Sequence, residues 1–281
     1  MTTATTDLPA LLTAITALEN AARYDDALAL VDATQVADDR DRLALLMARA
    51  SVVGRRDYTR GARSSGDHPL EAAQEMAARI GTGPTVAWDL AMQHLRRQYA
   101  DQLVDGIGPA GRDWAVVDAM VAEATRLRDG APDDGRRGWA CMCLGWFADN
   151  LRGDRAGAPG HYAEALAAGR AVADALLVFE AQRHLGDHAH DDGDHAGALA
   201  AWQESAAAAA RGGHVLGVLA QQVLLAVLAR DTGDEAGARA LAAETLRWAG
   251  ELGATRLAGQ VGDFLAGADP TAPPQEVAAN R

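Results

Sequence analysis

The sequence predicts an all-α fold built of stacked helical hairpins, and three observations indicate it. Only 5% of the 281 residues are aromatic, and alanine, leucine and arginine are common, a composition that favours helices over strands. Leucine and alanine recur at helical spacing along most of the chain. A Gly-Asp pair also recurs every forty residues, at 153–154, 193–194 and 233–234, which indicates an internal repeat.

Residues 1–135 predict irregular hairpins. RLALLMARASVVGRRDY (42–58) and TVAWDLAMQHLRRQYADQLV (85–104) have the pattern of first helices of hairpins. RYDDALALVDA (23–33) and DWAVVDAMVAEATRL (113–127) have the pattern of second helices. The breaks at 60–69 and 81–84 are rich in glycine, serine and proline, which separate helices.

Residues 136–253 predict three regular hairpins. In each, glycine of the Gly-Asp pair can adopt the left-handed conformation that ends a helix, and aspartate can cap the next helix. The small residues Ala158, Ala198 and Ala238 follow these glycines by five positions and allow two antiparallel helices to approach closely. Residues 254–267 predict a capping helix, and 268–281 predict a disordered tail.

This repeat resembles the tetratricopeptide repeat (TPR) family over Gly138–Gly253. The residues that carry the resemblance are Leu185, Gly186, Ala189, Gly193, Asp194, Ala198 and Trp202. A forty-residue unit exceeds the usual length of about 34 and is similar to units in helical sensor regions of bacterial regulators. The resemblance implies a right-handed α-solenoid of about six hairpins, whose first helices line a concave groove.

Two departures from the TPR pattern are visible in the sequence. Gly145 and Trp146 stand one residue out of register with the other two units. No prolines close the second helices of the repeats. The resemblance therefore identifies the scaffold, while ligands of such scaffolds differ widely.

Charge and composition exclude several classes of partner. The net charge of −13 repels nucleic acids and acidic membranes, so neither is a predicted partner. The arginines at 55, 56, 60 and 63 are interleaved with acidic and small residues and predict a solvated helix end. The absence of lysine removes Schiff-base chemistry and a lysine-dependent phosphate loop.

The chain predicts a cytoplasmic protein with reduced cysteines. The N-terminus lacks the basic region of a secretory signal, and no apolar segment reaches membrane-spanning length. Cys141 and Cys143 are two apart on a predicted helix, where side chains do not face each other, so a disulfide is not expected.

No catalytic motif predicts a cofactor. Residues 106–111, GIGPAG, match a dinucleotide-binding pattern formally, but a helical segment enters them, so an interhelix turn is predicted. Zincin, EF-hand, Walker and CxxC patterns are absent from the sequence.

The segment HLGDHAHDDGDH (184–195) carries the strongest candidate site. His184, His188 and Asp191 have spacing that could bind a divalent metal. A second interpretation is a polar patch facing the groove, formed by Glu180, Arg183, Asp187, His190 and Asp191. Solvated or locally capped histidines are the third, and the sequence leaves all three open.

The neighbouring first helices contribute apolar candidates. Trp139, Met142 and Trp146 share one helical face, and Val223 and Val227 occupy comparable places on the following first helix. They form either the core between repeats or the walls of a ligand groove. In the second case Arg183 would contact an anion, because its planar fork suits bidentate pairing.

Two classes of function follow. The first is a TPR-like scaffold whose groove binds a peptide, a partner protein or a small ligand, with a regulatory role through another protein; a homodimer is one option. The second is a cofactor-independent enzyme, a cyclase, isomerase or hydrolase. In that case His184 or His190 would act as acid and base, Asp187 would orient it, and Arg183 would hold an anionic substrate.

Overall fold

A computed structural model describes residues 7–63 and 69–268, and the secondary structure of these residues is helical, without strands. The all-α prediction is confirmed. In the same ranges, no helix has the length and apolarity that a bilayer crossing requires. The predicted tail lies outside the described residues from 269 onwards.

The helices are numbered in chain order. They are α1 (Leu8–Asn20), α2 (Tyr24–Asp32), α3 (Asp39–Arg60), α4 (Pro69–Ile80), α5 (Pro84–Val104), α6 (Trp114–Asp129), α7 (Asp134–Trp146), a π-helical segment (Phe147–Arg152), α8 (Ala158–Ala171), α9 (Ala175–Asp191), α10 (His195–Arg211), α11 (Val215–Asp231), α12 (Glu235–Glu251) and α13 (Thr255–Leu265).

Consecutive helices pack as hairpins from α1/α2 to α11/α12, and α13 packs on α12. The predicted series of hairpins with a final helix is therefore confirmed. α3 and α5 contain the segments expected to be first helices, and α4, which the sequence left unassigned, completes the second hairpin. The GIGPAG segment is the predicted interhelix loop, between α5 and α6.

The Gly-Asp pairs form the predicted turns. Gly193 and Gly233 have φ of 79° and 94°, in the left-handed region that favours glycine. The Asp194 and Asp234 carboxylates each accept a hydrogen bond from a backbone N–H of the following helix, at 2.9 Å. These caps fix where α10 and α12 begin, and hence the hairpin geometry.

A glycine beneath an aromatic ring brings the two helices of a hairpin together. A Cβ on Gly145 would lie 2.3 Å from the Tyr162 ring, and one on Gly186 would lie 2.4 Å from the Trp202 ring. In the third repeat the corresponding residues are both alanines, Ala226 and Ala242, and both are fully buried. Two kinds of pair, glycine with an aromatic ring and alanine with alanine, thus fill the same interhelix space.

The π-helical segment explains why Gly145 and Trp146 are out of register. The chain has nine steps from Leu144 to Gly153, but eight from Leu185 to Gly193. A π turn holds one more residue than an α turn, so it absorbs the insertion without moving the ends of the helix. The helix still ends at Gly153, with φ of 66°.

The two ends of the solenoid touch each other. The Asn20 side chain donates to the Gly212 carbonyl at 3.1 Å, and Thr255 Oγ1 donates to the Arg60 carbonyl at 3.3 Å. Arg55 contacts the His214 ring at 2.7 Å. We call these three contacts the seam, and because of the seam the first helices surround a central space.

The cysteines are packed as predicted. Cys141 and Cys143 are free and buried. Burial raises the pKa of each thiol to about 12, so both are protonated and unreactive near neutral pH.

Candidate functional site

The central space is a cavity of about 570 Å³, here called the central cavity. Its walls come mainly from the second halves of first helices: α3 from residue 50, α5 from residue 93, the π-helical segment, and α9 from residue 180. Side chains of α1, α4, α11 and α13 also line the cavity. Most of the chain therefore contributes to one site.

The polar patch predicted on α9 faces this cavity in large part. Glu180, Arg183, Asp187 and Asp191 line it, as do His184 and His188. Trp146 is the one predicted aromatic residue among the lining residues. The ring of Tyr99 stacks on Trp146, with 5.3 Å between centroids and 1° between planes, and forms an aromatic wall.

The other apolar candidates lie in the packed interior. Met142, Val223 and Val227 are buried in apolar clusters between helices, and Trp139 packs against the same core as Met142. The Trp139 indole N–H donates to Asp174 at 2.8 Å. Of the two interpretations, core between repeats or wall of a ligand groove, the positions of these four residues agree with the core.

His190 lies away from the cavity. Its Nε2 is 2.9 Å from Asp231 on α11, and its ring is 5.3 Å from that of Trp202. On a helix, residue 190 points about 60° away from residue 187, whereas residue 191 points only about 40° to the other side. His190 is therefore not among the residues that line the cavity, although its Nδ1 lies 3.8 Å from Asp191 Oδ1.

His184 is a neutral hydrogen-bond acceptor. Trp146 Nε1 donates to His184 Nε2 at 3.0 Å, which places the imidazole proton on Nδ1. Burial and then the charge of Arg183 hold the pKa of His184 well below its usual range. The ring also stacks on Tyr162 at 4.7 Å. Nε2 is thus engaged within the fold.

The residues proposed for a metal site do not converge. His188 Nε2 contacts Asp149 at 2.9 Å, and Asp191 is paired with Arg155 at 2.6 Å. Over residues 7–63 and 69–268, no group of three or more His, Cys, Asp or Glu side chains is arranged to hold a metal ion.

The π-helical segment adds site residues that the sequence analysis missed. Asp149 Oδ2 accepts hydrogen bonds from Tyr162 Oη at 3.0 Å and from His188. Asn150 Nδ2 donates to Tyr99 Oη at 2.6 Å. The signal in the sequence was the one-residue shift in register, because π turns are frequent at functional sites.

The N-terminal half supplies a second set of missed residues. Arg55 and Tyr58 on α3 and Arg96 and Tyr99 on α5 line the cavity. The prediction of a solvated helix end is wrong for Arg55, which pairs with the buried Glu19 at 3.0 Å. No forty-residue signal marks these helices, so their inward faces could not be assigned by comparison between repeats.

Burial shifts the pKa of two carboxyl groups on α9. Burial raises the pKa of Glu180 and of Asp187, while the charge of Arg183 opposes both shifts. Asp187 accepts a hydrogen bond from Trp202 Nε1 at 3.0 Å and lies 3.9 Å from Arg183 Nη2. The cavity therefore places half-buried groups of both charge signs on one face of α9.

Comparisons with known proteins were made at the level of families, curated sequences and solved structures. The sequence matches no protein-family model. It also matches no curated protein. Among solved structures, the crystal structure of a Rap protein complexed with Competence and Sporulation Factor aligns with a TM-score of 0.42 and 13% identity, over 92% of this chain and 96% of that chain.

Proposed function

We propose that this chain is a ligand-binding scaffold whose central cavity encloses a small molecule. The observation that carries the proposal is the convergence of most first helices on one cavity of about 570 Å³ lined by polar and aromatic side chains. Pockets for small molecules typically measure about 300–1,000 Å³ and combine apolar walls with a few polar groups.

The seam favours a small ligand over a partner protein. In an open solenoid the first helices present a groove to a partner helix or a folded domain. Here Asn20, Arg55 and Thr255 close the ends onto each other, so the same faces point inward. A short peptide remains within the size that the cavity admits, and a regulatory role would follow if the ligand changed the seam.

A cavity-filling variant tests this proposal. Ala100 lines the cavity on α5, whereas Ala200 is exposed on α10 and serves as the control. We expect native mass spectrometry or a thermal-shift screen of metabolites to find a ligand for the wild type and for Ala200→Trp, but not for Ala100→Trp. Binding that is equal in all three proteins would place the ligand elsewhere, and no ligand in any of them would contradict the proposal.

An acid-base enzyme is the second candidate. The observation that favours it is the Asp187 carboxyl, whose pKa burial raises, beside Arg183 in the cavity. His184 is a weaker candidate for the base, because its Nε2 already accepts a hydrogen bond. Once a ligand is found, its conversion by the wild type but not by Asp187→Asn would support catalysis. An unchanged ligand after prolonged incubation would exclude it.

A further inference from the structure

Arg96 and Glu180 carry charges that the fold leaves without a counter-ion. Arg96 lies on α5 and Glu180 on α9, and both line the central cavity. Within residues 7–63 and 69–268, neither side chain has an oppositely charged partner within 4.0 Å or a side-chain hydrogen bond. Charged groups that lose water are normally paired, so these two require explanation.

Arg96 is held in place by aromatic rings. Its guanidinium carbon lies 4.5 Å from the Trp139 ring centroid and 5.7 Å from that of Trp146. Burial lowers the pKa of Arg96, which is half-buried. Cation-π contacts offset part of the cost of burial and leave the N–H groups available to an anion.

Glu180 is the complementary group. Burial raises its pKa, and the nearby charges of Arg183, Arg96 and Arg55 lower it, in that order. Its oxygens are not among the fully enclosed polar atoms without a hydrogen bond, so they retain access to the cavity. A cationic hydrogen-bond donor in the cavity would therefore give the Glu180 carboxylate the counter-ion that the fold does not provide.

Most other charges around the cavity already have partners. Arg55 pairs with Glu19 at 3.0 Å, and Arg155 pairs with Asp191 at 2.6 Å. Asp149 accepts from Tyr162 and contacts His188, and Arg256 stacks on the exposed Tyr58 ring at 4.4 Å. Arg256, like Arg96, contacts an aromatic ring and has no carboxylate within 4.0 Å. Of these two arginines, Arg96 is the one whose charge acts on Glu180, so Arg96 and Glu180 form the neighbouring pair of opposite charges that a ligand could bridge.

We propose that the central cavity binds an amino-acid-like zwitterion, whose carboxylate pairs with Arg96 and whose ammonium pairs with Glu180. This inference rests on the proposed function, because it names the chemical class of the ligand in the same cavity. A ligand with charge of one sign would satisfy only one of the two groups. Tyr99 and Trp146 provide an apolar wall for the rest of the ligand.

Matched probes test the proposal. The full chain is screened by thermal shift with the free amino acids and with linear ω-amino acids from β-alanine to 6-aminohexanoate. The best ligand is then compared by calorimetry with its deaminated acid and its decarboxylated amine. We expect each truncated probe to bind roughly 10- to 100-fold more weakly, as the loss of a hydrogen bond between charged groups does.

Two variants assign the charges. In Glu180→Gln the zwitterion should bind no more tightly than the deaminated acid, and the acid should still bind. In Arg96→Gln the zwitterion should bind no more tightly than the decarboxylated amine. Glu180→Gln should unfold at or above the wild-type temperature, because it removes a half-buried carboxylate without a counter-ion. Arg96→Gln also loses the contacts with the Trp139 and Trp146 rings, so its binding ratios are compared at a temperature where it is fully folded. Arg126→Gln, on the exposed face of α6, is the control and should leave both ratios unchanged.

The outcomes separate this inference from the proposed function. If no amino acid binds but another metabolite does, and Ala100→Trp blocks that metabolite, the zwitterion is excluded and the ligand-binding scaffold stands. If an amino acid binds but both glutamine variants weaken all three probes equally, the assignment of charges is overturned. If nothing binds to the cavity, both proposals fail.

Discussion

At the scale of single residues, the structure shows how the repeat tolerates different side chains at one interhelix contact. Gly186 lies beneath Trp202, and Ala226 and Ala242 replace that pair one repeat later. Interiors are close-packed, so the sizes of two facing residues are coupled. A change at one of them should therefore depend on the other.

The effect of Gly186→Ala on the free energy of unfolding should change sign when Trp202 is replaced. In the wild type the new Cβ would lie 2.4 Å from Trp202, so overpacking should cost about 1–3 kcal/mol, against at most about 1 kcal/mol gained in helix propensity. In a Trp202→Ala background the same change should stabilise the protein, because it fills space and imitates the third repeat. Chemical denaturation of the four proteins measures the coupling.

Gly259→Ala is the matched control for that cycle. A Cβ on Gly259 meets no atom within 4 Å, so this change on α13 should be neutral or stabilising by up to about 1 kcal/mol. Destabilisation by Gly186→Ala of the same size in the wild type and in the Trp202→Ala background would show that the ring contact is not its cause.

His214 should make the protein less stable in acid. Burial and then Arg55 lower the pKa of His214 to about 3, whereas an unfolded histidine has a pKa of about 6.5. Between these values the unfolded chain binds a proton that the folded chain does not, so stability falls as pH drops below about 6.5 and levels off near 3.

His214→Asn removes this titration and keeps the helix cap. His214 Nδ1 accepts a hydrogen bond from the Gly217 N–H at 2.7 Å, and an asparagine oxygen can accept the same bond. The difference in unfolding free energy between variant and wild type should therefore increase as pH falls from 7 to 4. A difference that is constant over this range would contradict the assignment.

At the scale of elements, the π-helical segment connects an irregular sequence to the site. The extra residue between Leu144 and Gly153 forces a π turn, which directs Asp149 towards Tyr162 and His188 and Asn150 towards Tyr99. A regular α turn would rotate these side chains by about 100° per residue removed. The insertion thus shapes the cavity while the hairpin packing is preserved.

A deletion series tests this account. Deletion of Asn150 restores the eight-step spacing of the next repeat, so the chain should fold with an α turn at a modest cost, while ligand binding is lost. Deletion of His190 shortens α9, which has no spare residue, and should destabilise the protein several-fold more. Circular dichroism and thermal unfolding compare the two. Equal destabilisation would mean that the π turn does not hold the extra residue.

At the scale of the whole molecule, the seam determines what the first helices can bind. Residues almost two hundred positions apart meet at the contacts of Asn20 with Gly212 and of Thr255 with Arg60. In an open solenoid each repeat contacts only its neighbours, so a change in α1 would not reach α11. In this closed arrangement, a change in α1 should affect the start of α11.

Asn20→Ala should therefore increase amide hydrogen exchange in residues 212–217, about 190 positions away. The lost hydrogen bond is worth about 0.5–1.5 kcal/mol, enough to raise local opening several-fold. Thr16→Ala, one turn earlier on α1, is the control, because Thr16 Oγ1 bonds only within its own helix, to Leu12. Identical exchange at 212–217 in both variants would contradict closure in solution.

The sequence by itself determined the repeating unit. Leucine and alanine spacing, the left-handed glycines and the capping aspartates are local features, so Gly193, Asp194 and their counterparts placed the turns, and the α9 patch from Glu180 to Asp191 followed from helix periodicity. Helix periodicity left open whether His190 or Asp191 faces the groove, because the contact of His190 with Asp231 on α11 depends on how two repeats pack.

Only the tertiary structure decided what faces the cavity. Small rotations between hairpins accumulate into the curvature that brings Glu19, Arg55 and Arg96 opposite Glu180 and Arg183. The accumulated curvature cannot be predicted from the sequence of any single repeat. The N-terminal helices also lack the forty-residue pattern that would identify their inner faces. The hairpins depend on local interactions and can therefore be predicted from the sequence. The site depends on contacts between distant residues, which form only when the hairpins stack.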